Sequence, residues 1–306
     1  MAASLVASSF YAMAVGTPVE ISSMDAPRFY RFLWQDFASL ALSRSQNRRV
    51  RAHVITMPQS GSHWVNNMLV AGICRAYEIQ EPEHIRDRTI IRRPEDPLVH
   101  AAIPPIIQSH LAPGRLVHTP LLQKLLRYPK YVLLVRDLRA AMVSHYEKRE
   151  LSAGGLSFSD YLQNRWLKTG KWIHRDLWHR LRFLNAWARD IRRLPENQTI
   201  VLHYEDLHAD TAGQLQRLWE FIGLPVQAAS FYASVVEATS KERMARRESP
   251  EVGYKIVRRS RHHPFEWFSE TDRDFFSSMT RRYLPDSFGY DYEDWTCVAD
   301  NSARAA

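Results

Sequence analysis

The sequence predicts an α/β fold with a central, mostly parallel sheet flanked by helices, and three observations predict it. Short apolar runs rich in β-branched residues recur at 54–57, 131–135 and 199–202. Between them lie stretches whose apolar residues return with helical period, so strands and helices alternate. The run at 131–135, YVLLV, is apolar throughout, as strands covered on both faces are. At 306 residues and 45% apolar content, the chain is long enough for one large core. We expect residues 1–25 to be a flexible N-terminus, 26–296 to form one domain, and 297–306 to be a disordered tail.

Composition narrows the function classes. A formal charge of +8 favours an anionic ligand, and the arginines are spread along the chain rather than gathered in a basic tail, which suits a pocket for a small polyanion better than a nucleic-acid stripe. Cys74 and Cys297 support neither a disulfide framework nor a cysteine metal site. The first 16 residues lack the positive start of a secretory signal and no apolar run is long enough to span a bilayer, so a cytoplasmic protein is expected, with no integral membrane segment.

Taken in order, residues 26–46 set Phe29, Phe32, Leu33, Phe37, Leu40 and Leu42 at helical spacing, the mark of a helix laid on the core. Arg48, Arg49 and Arg51 read as a solvated approach to the first strand. The organising stretch is 52–70, where a strand meets Pro58, crosses Gln59-Ser60-Gly61-Ser62 and continues as a helix through Trp64, Val65, Met68 and Leu69. Such a turn aims backbone N–H groups and the positive end of a helix at one point, and the Ser60 and Ser62 hydroxyls add donors, so it suits a phosphate. By itself the segment fits an ordinary serine-capped turn equally well. It is not the nucleotide loop G-x-x-x-x-G-K-[ST], which needs a second glycine and a lysine.

Residues 79–105 hold no sustained period and read as a long surface excursion, with Arg86, Arg88, Arg92 and Arg93 as a solvated run or a wall for an acidic acceptor. The β-like run from 106 ends in Gln108-Ser109-His110. A histidine at a strand's end is placed for proton transfer, although one histidine alone is more often structural. A short helix is expected within 117–130, then the buried strand, Arg136-Asp137, and a helix carrying Ser144. Arginine's fork of donors matches phosphate oxygens at the ligand edge of an α/β sheet. Asp137 opens a competing reading as the magnesium carboxylate of a nucleotide kinase or hydrolase. The tryptophans of 158–194 (Trp166, Trp172, Trp178, Trp187) read as helix packing, with a pocket wall as the alternative. A strand at 199–202 leads through His203-Tyr204-Glu205-Asp206-Leu207 to a helix closed by Gly223 and Pro225. The cluster Arg258, Arg259 and Arg261 is expected in an exposed loop.

Together these pieces resemble the sulfotransferases that use 3′-phosphoadenosine 5′-phosphosulfate, the cytosolic type in particular. PQSGSHW at 58–64 is similar to that family's 5′-phosphosulfate loop PKSGTTW, QSHL at 108–111 to its KTHL, and the span from Arg136 to Ser144 to its 3′-phosphate site. GKW at 170–172, LHYEDL at 202–207 and ATSKERM at 238–244 resemble its later landmarks, in family order. The resemblance implies a P-loop-like three-layer fold and sulfuryl transfer to a small-molecule hydroxyl or amine acceptor, with 3′-phosphoadenosine 5′-phosphosulfate as co-substrate and no metal required. It gives the 5′-phosphosulfate to Ser60, Gly61, Ser62 and His63, and the adenine to Trp64, Tyr204 and Thr239. The 3′-phosphate falls to Arg136 and Ser144 with Arg258 or Arg259, and the acceptor's proton to His110. Gln59 and Gln108 stand where the family has lysines, so turnover needs another cation, such as Arg115, Lys124 or an excursion arginine, or is slow. A nucleotide-binding protein that has lost turnover is the further alternative. Neither the acceptor's identity nor the oligomeric state follows from the sequence.

Overall fold

The computed structural model describes residues 50–84, 87–149, 155–163, 176–246 and 263–296. The expected helix at 26–46, the flexible start, Arg86, Trp166, Trp172, GKW, Arg258, Arg259, Arg261 and the tail from 297 lie outside them. Among the described residues five strands form one sheet: β1 (Ala52–Thr56), β2 (Ile91–Arg92), β3 (Ile106–Ser109), β4 (Lys130–Val135) and β5 (Thr199–His203), in the order β2-β3-β1-β4-β5. Every pairing is parallel.

Side chains alternate across a strand, so each central strand feeds two cores. Ala52, Val54, Val132 and Leu134 enter one, packed by α1 (Ser62–Ala76), α7 (Thr211–Ile222) and α8 (Ala229–Ala238) through Met68, Trp219 and Val235. Ile55, Met57, Leu133 and Val135 enter the other, against α3 (Leu138–Lys148), α4 (Phe158–Leu162), α5 (Leu177–Ile191) and α10 (Glu270–Tyr283). The result is the expected three-layer fold. The described residues also include the short helices α2 (Pro120–Leu125), α6 (Tyr204–Ala209) and α9 (Lys241–Arg246). Among the described residues no helix is long and apolar enough to cross a membrane.

Local chemistry sets the helix ends. Asp137, Asp176 and Ser269 accept first-turn N–H groups of α3, α5 and α10. Gly223 ends α7 at φ 79°, as its sequence implied, and Arg51, exposed as expected, adds a hydrogen bond of 3.0 Å from Nε to the Ile222 carbonyl there. Three expectations change. The excursion contains the edge strand β2, too short at two residues to leave a periodic signal. The helix expected at 117–130 is only Pro120–Leu125, with no buried residue. The segment after β5 is already helical from Tyr204, and Asp210 breaks it and caps α7.

Candidate functional site

The sheet order brings four expected site segments to one edge. His110, the 57–61 loop, Arg136 and Tyr204 each follow the carboxyl end of a strand, and those strands are neighbours in the order β3, β1, β4, β5. At about 4.8 Å per strand the row covers about 14 Å. β1 is where the chain turns from one half of the sheet to the other, the position at which open α/β sheets bind ligands.

The loop is built by its backbone. Ser60 donates twice to the Met57 carbonyl, from N at 3.1 Å and from Oγ at 2.6 Å, so this buried hydroxyl closes the turn and its proton is not available to a ligand. Gln59 and Gly61 take positive φ, 70° and 91°. Gly61 is required twice over, since a Cβ there would stand 2.8 Å from Cδ2 of Tyr204. Gly61 also begins α1 without a side-chain cap, and its carbonyl takes the Trp64 and Val65 N–H groups at 2.9 and 3.1 Å, so the positive end of a 15-residue helix is directed at the edge of the sheet. Ser62, His63 and Trp64 form that turn and are half-buried.

Arg136 joins this loop to β5. Its Nη1 donates to the Gln59 carbonyl at 3.1 Å, and its guanidinium lies 4.1 Å from the centre of the Tyr204 ring. Its Nε is buried with no hydrogen-bond partner, an unspent donor beside an open helix terminus. Trp64 and Tyr204 meet edge to face at 6.0 Å, and His208, whose Nε2 is 3.1 Å from the Tyr204 hydroxyl, sits 5.1 Å from the Trp64 ring. On α3, Ser144 is the half-buried residue in an otherwise buried run from Leu138 to Tyr146. Thr239 ends α8, buried, and its hydroxyl donates to the Val235 carbonyl at 2.8 Å. Asp137 accepts the Arg139 and Ala140 N–H groups and pairs with the Arg139 guanidinium at 2.6 Å, so it builds the start of α3.

His110 stands across β1 from Arg136. Its Nδ1 is 2.7 Å from the Thr56 carbonyl and 2.9 Å from the Thr56 hydroxyl. A carbonyl only accepts, so Nδ1 carries the proton and Nε2 the lone pair, the arrangement a general base needs. Gln108 turns its Nε2 to the Thr56 hydroxyl at 3.0 Å and to the Ser109 carbonyl at 3.3 Å. The replacement for the second lysine therefore braces Thr56. Of the candidate replacement cations, Lys124 and Arg115 are exposed, and Arg88, Arg92 and Arg93 engage Asp96 or Glu95.

Sequence reasoning passed over Thr56, His208 and Glu205. Thr56 lay inside a strand and carried no signal. His208 falls four residues after Tyr204, one helical turn, a spacing that would have paired them. Glu205 accepts the Tyr290 hydroxyl at 2.5 Å and the Asp137 N–H at 3.3 Å, which ties the C-terminal segment to the junction of β4 and α3. Burial and the adjacent Glu205 carboxylate push the Tyr290 hydroxyl far above its ordinary value, so it stays the donor.

A family model described as a sulfotransferase domain matches residues 51–265, which include every landmark above. Sulfotransferase 2A6 of Rattus norvegicus is 27% identical over 184 residues, 56% of this chain and 58% of its own length, so the match spans less than two thirds of that relative. The crystal structure of mouse sulfotransferase SULT7A1 complexed with PAP superposes with a TM-score of 0.55 at 17% identity, over 85% of this chain and 94% of that one. A loop, an arginine and a histidine that the sheet lines up on one edge thus lie within a domain match covering most of the chain, and the protein belongs to the sulfotransferase domain family.

Proposed function

We propose that this protein transfers a sulfuryl group from 3′-phosphoadenosine 5′-phosphosulfate to a hydroxyl or amine of a small molecule. The observation that carries the reading is the contact of Arg136 with both the loop, through Gln59, and Tyr204, with His110 on the far side of the same loop. The N–H groups at the start of α1 hold the 5′ end, while Arg136 and Ser144 hold the 3′-phosphate and Trp64, Tyr204 and His208 line the base. Gly61 and the unspent Nε of Arg136 fit such an anion. The bound donor supplies a sulfuryl group joined to a phosphate oxygen.

As the acceptor oxygen bonds to sulfur and the sulfur–phosphate oxygen bond breaks, His110 Nε2 takes the acceptor's proton. Positioning and stabilisation of the leaving oxygens supply the rest. The kinase or hydrolase reading loses its metal ligand, because the Asp137 carboxylate is engaged by Arg139 and the start of α3.

Two measurements test this. The wild-type protein binds 3′-phosphoadenosine 5′-phosphate in calorimetry without magnesium, and His110→Ala abolishes sulfate transfer across a panel of phenols, alcohols and amines while keeping that affinity. Preference for ATP with magnesium would return the kinase reading, and a wild type that binds the nucleotide without transferring sulfate would favour the non-catalytic alternative.

A further inference from the structure

β3 stops at Ser109, so His110 and Leu111 lie beyond the end of the strand. Both polar groups of Leu111 are nevertheless taken, and by side chains. Its N–H donates to Ser109 Oγ at 3.2 Å, and its carbonyl accepts the indole N–H of Trp187 at 3.0 Å. Ser109 Oγ in turn lies 2.8 Å from Nε2 of His53. Burial, with His118 adding to it, lowers the His53 imidazole to about 3, so the ring that pairs with the Ser109 hydroxyl is neutral at working pH. Past Leu111 the pattern continues along α5 and the turn after it, where Arg189 takes the Pro113 carbonyl at 3.3 Å and Arg193 that of Arg115 at 3.1 Å.

We propose that Trp187 and the His53–Ser109 pair are positioning residues for His110, clamping the Leu111 peptide so that the imidazole is held against Thr56 in a single tautomer. The proposal rests on His110 being the base. Fixing the peptide that follows a base fixes the backbone the base hangs from, and a shift of about 1 Å at a reacting group costs about a hundredfold in rate. Trp187, packed against Tyr131 with ring centres 5.3 Å apart and 2% exposed, is a rigid donor for this purpose. His110 is therefore fixed from both sides, by β1 through Thr56 and by α5 through Leu111.

The test uses the full chain, with Trp187→Phe, which keeps the ring and deletes the donor, and Ser109→Ala as an independent second variant. Three quantities are read: kcat with the phenol and alcohol panel, affinity for 3′-phosphoadenosine 5′-phosphate by calorimetry, and the His110 tautomer from 15N–1H correlation spectra. The expected result is a fall in kcat of about 10- to 100-fold with nucleotide affinity within about twofold of wild type. The spectra should show wild-type His110 protonated at Nδ1 alone and a mixture of tautomers in each variant. Unchanged kcat and unchanged tautomer in both variants overturn the proposal, as does a wild-type His110 protonated at Nε2. So does a loss of kcat that follows nucleotide affinity and melting temperature, which marks Trp187 and Ser109 as structural only. If no protein in the series transfers sulfate, the sulfuryl-transfer reading fails, while the tautomer spectra still decide whether the clamp exists.

Discussion

At the scale of single residues, the site depends on which proton each side chain has already committed. Ser60, a natural guess for a ligand donor, is turned inward to Met57, and Gln108 is turned to Thr56. Neither commitment is legible in the sequence, because a hydroxyl or an amide beside a loop has several acceptors within reach and only the fold chooses among them. His53 has a consequence of its own. Its folded value of about 3 lies below the 6.5 of a free imidazole, so the unfolded chain takes up the proton first. The stability this group contributes is complete above about pH 6.5 and is lost as the pH falls toward about 3. Urea unfolding at about pH 7.5 and about pH 5 should show wild type losing more stability on acidification than His53→Gln, which removes the titrating group. Equal losses would remove His53 from this role.

At the scale of elements, the strands and the helix following the 57–61 turn were the legible part. YVLLV and AHVIT became β4 and β1 because a run buried on both faces needs no alternation, and the spacing of Val65, Met68 and Leu69 gave α1. Less legible were β2, too short for any period, and α6, a helix of six residues that reads as a connection before the helix Asp210 caps. Nor did the sequence say that Arg136 would contact Gln59, 77 residues away, because that meeting follows from the adjacency of β1 and β4 in the sheet. The packing of α1 on α7 makes its own prediction. Gly72 lets the Trp219 ring lie against α1, and a Cβ there would stand 2.8 Å from Cζ3. Gly72→Ala should lower stability by about 1–3 kcal/mol through overpacking, read as a lower urea midpoint at an unchanged m-value. A midpoint at or above that of wild type would contradict this packing.

Across the whole molecule, one parallel sheet carries the loop, Arg136, Tyr204 and His110 on four adjacent strands, so a rigid platform fixes the separation of the two ends of a ligand. The C-terminal segment reinforces that platform. Tyr290 bonds Glu205, and Arg139, stacked 4.2 Å from the Phe265 ring, donates to the Asp291 carbonyl at 3.0 Å, so the start of α3 is held from two sides. Such anchoring keeps Arg136 directed at the loop before any ligand arrives. The central claim is that this arginine grips a 3′-phosphate, and calorimetry of Arg136→Ala tests it most directly, with 3′-phosphoadenosine 5′-phosphate and its 3′-dephosphorylated analogue as ligands. The expected result is a loss of about 10- to 100-fold for the first, the worth of a charge-assisted hydrogen bond, and little change for the second. Equal losses for both nucleotides, or none for either, would contradict it.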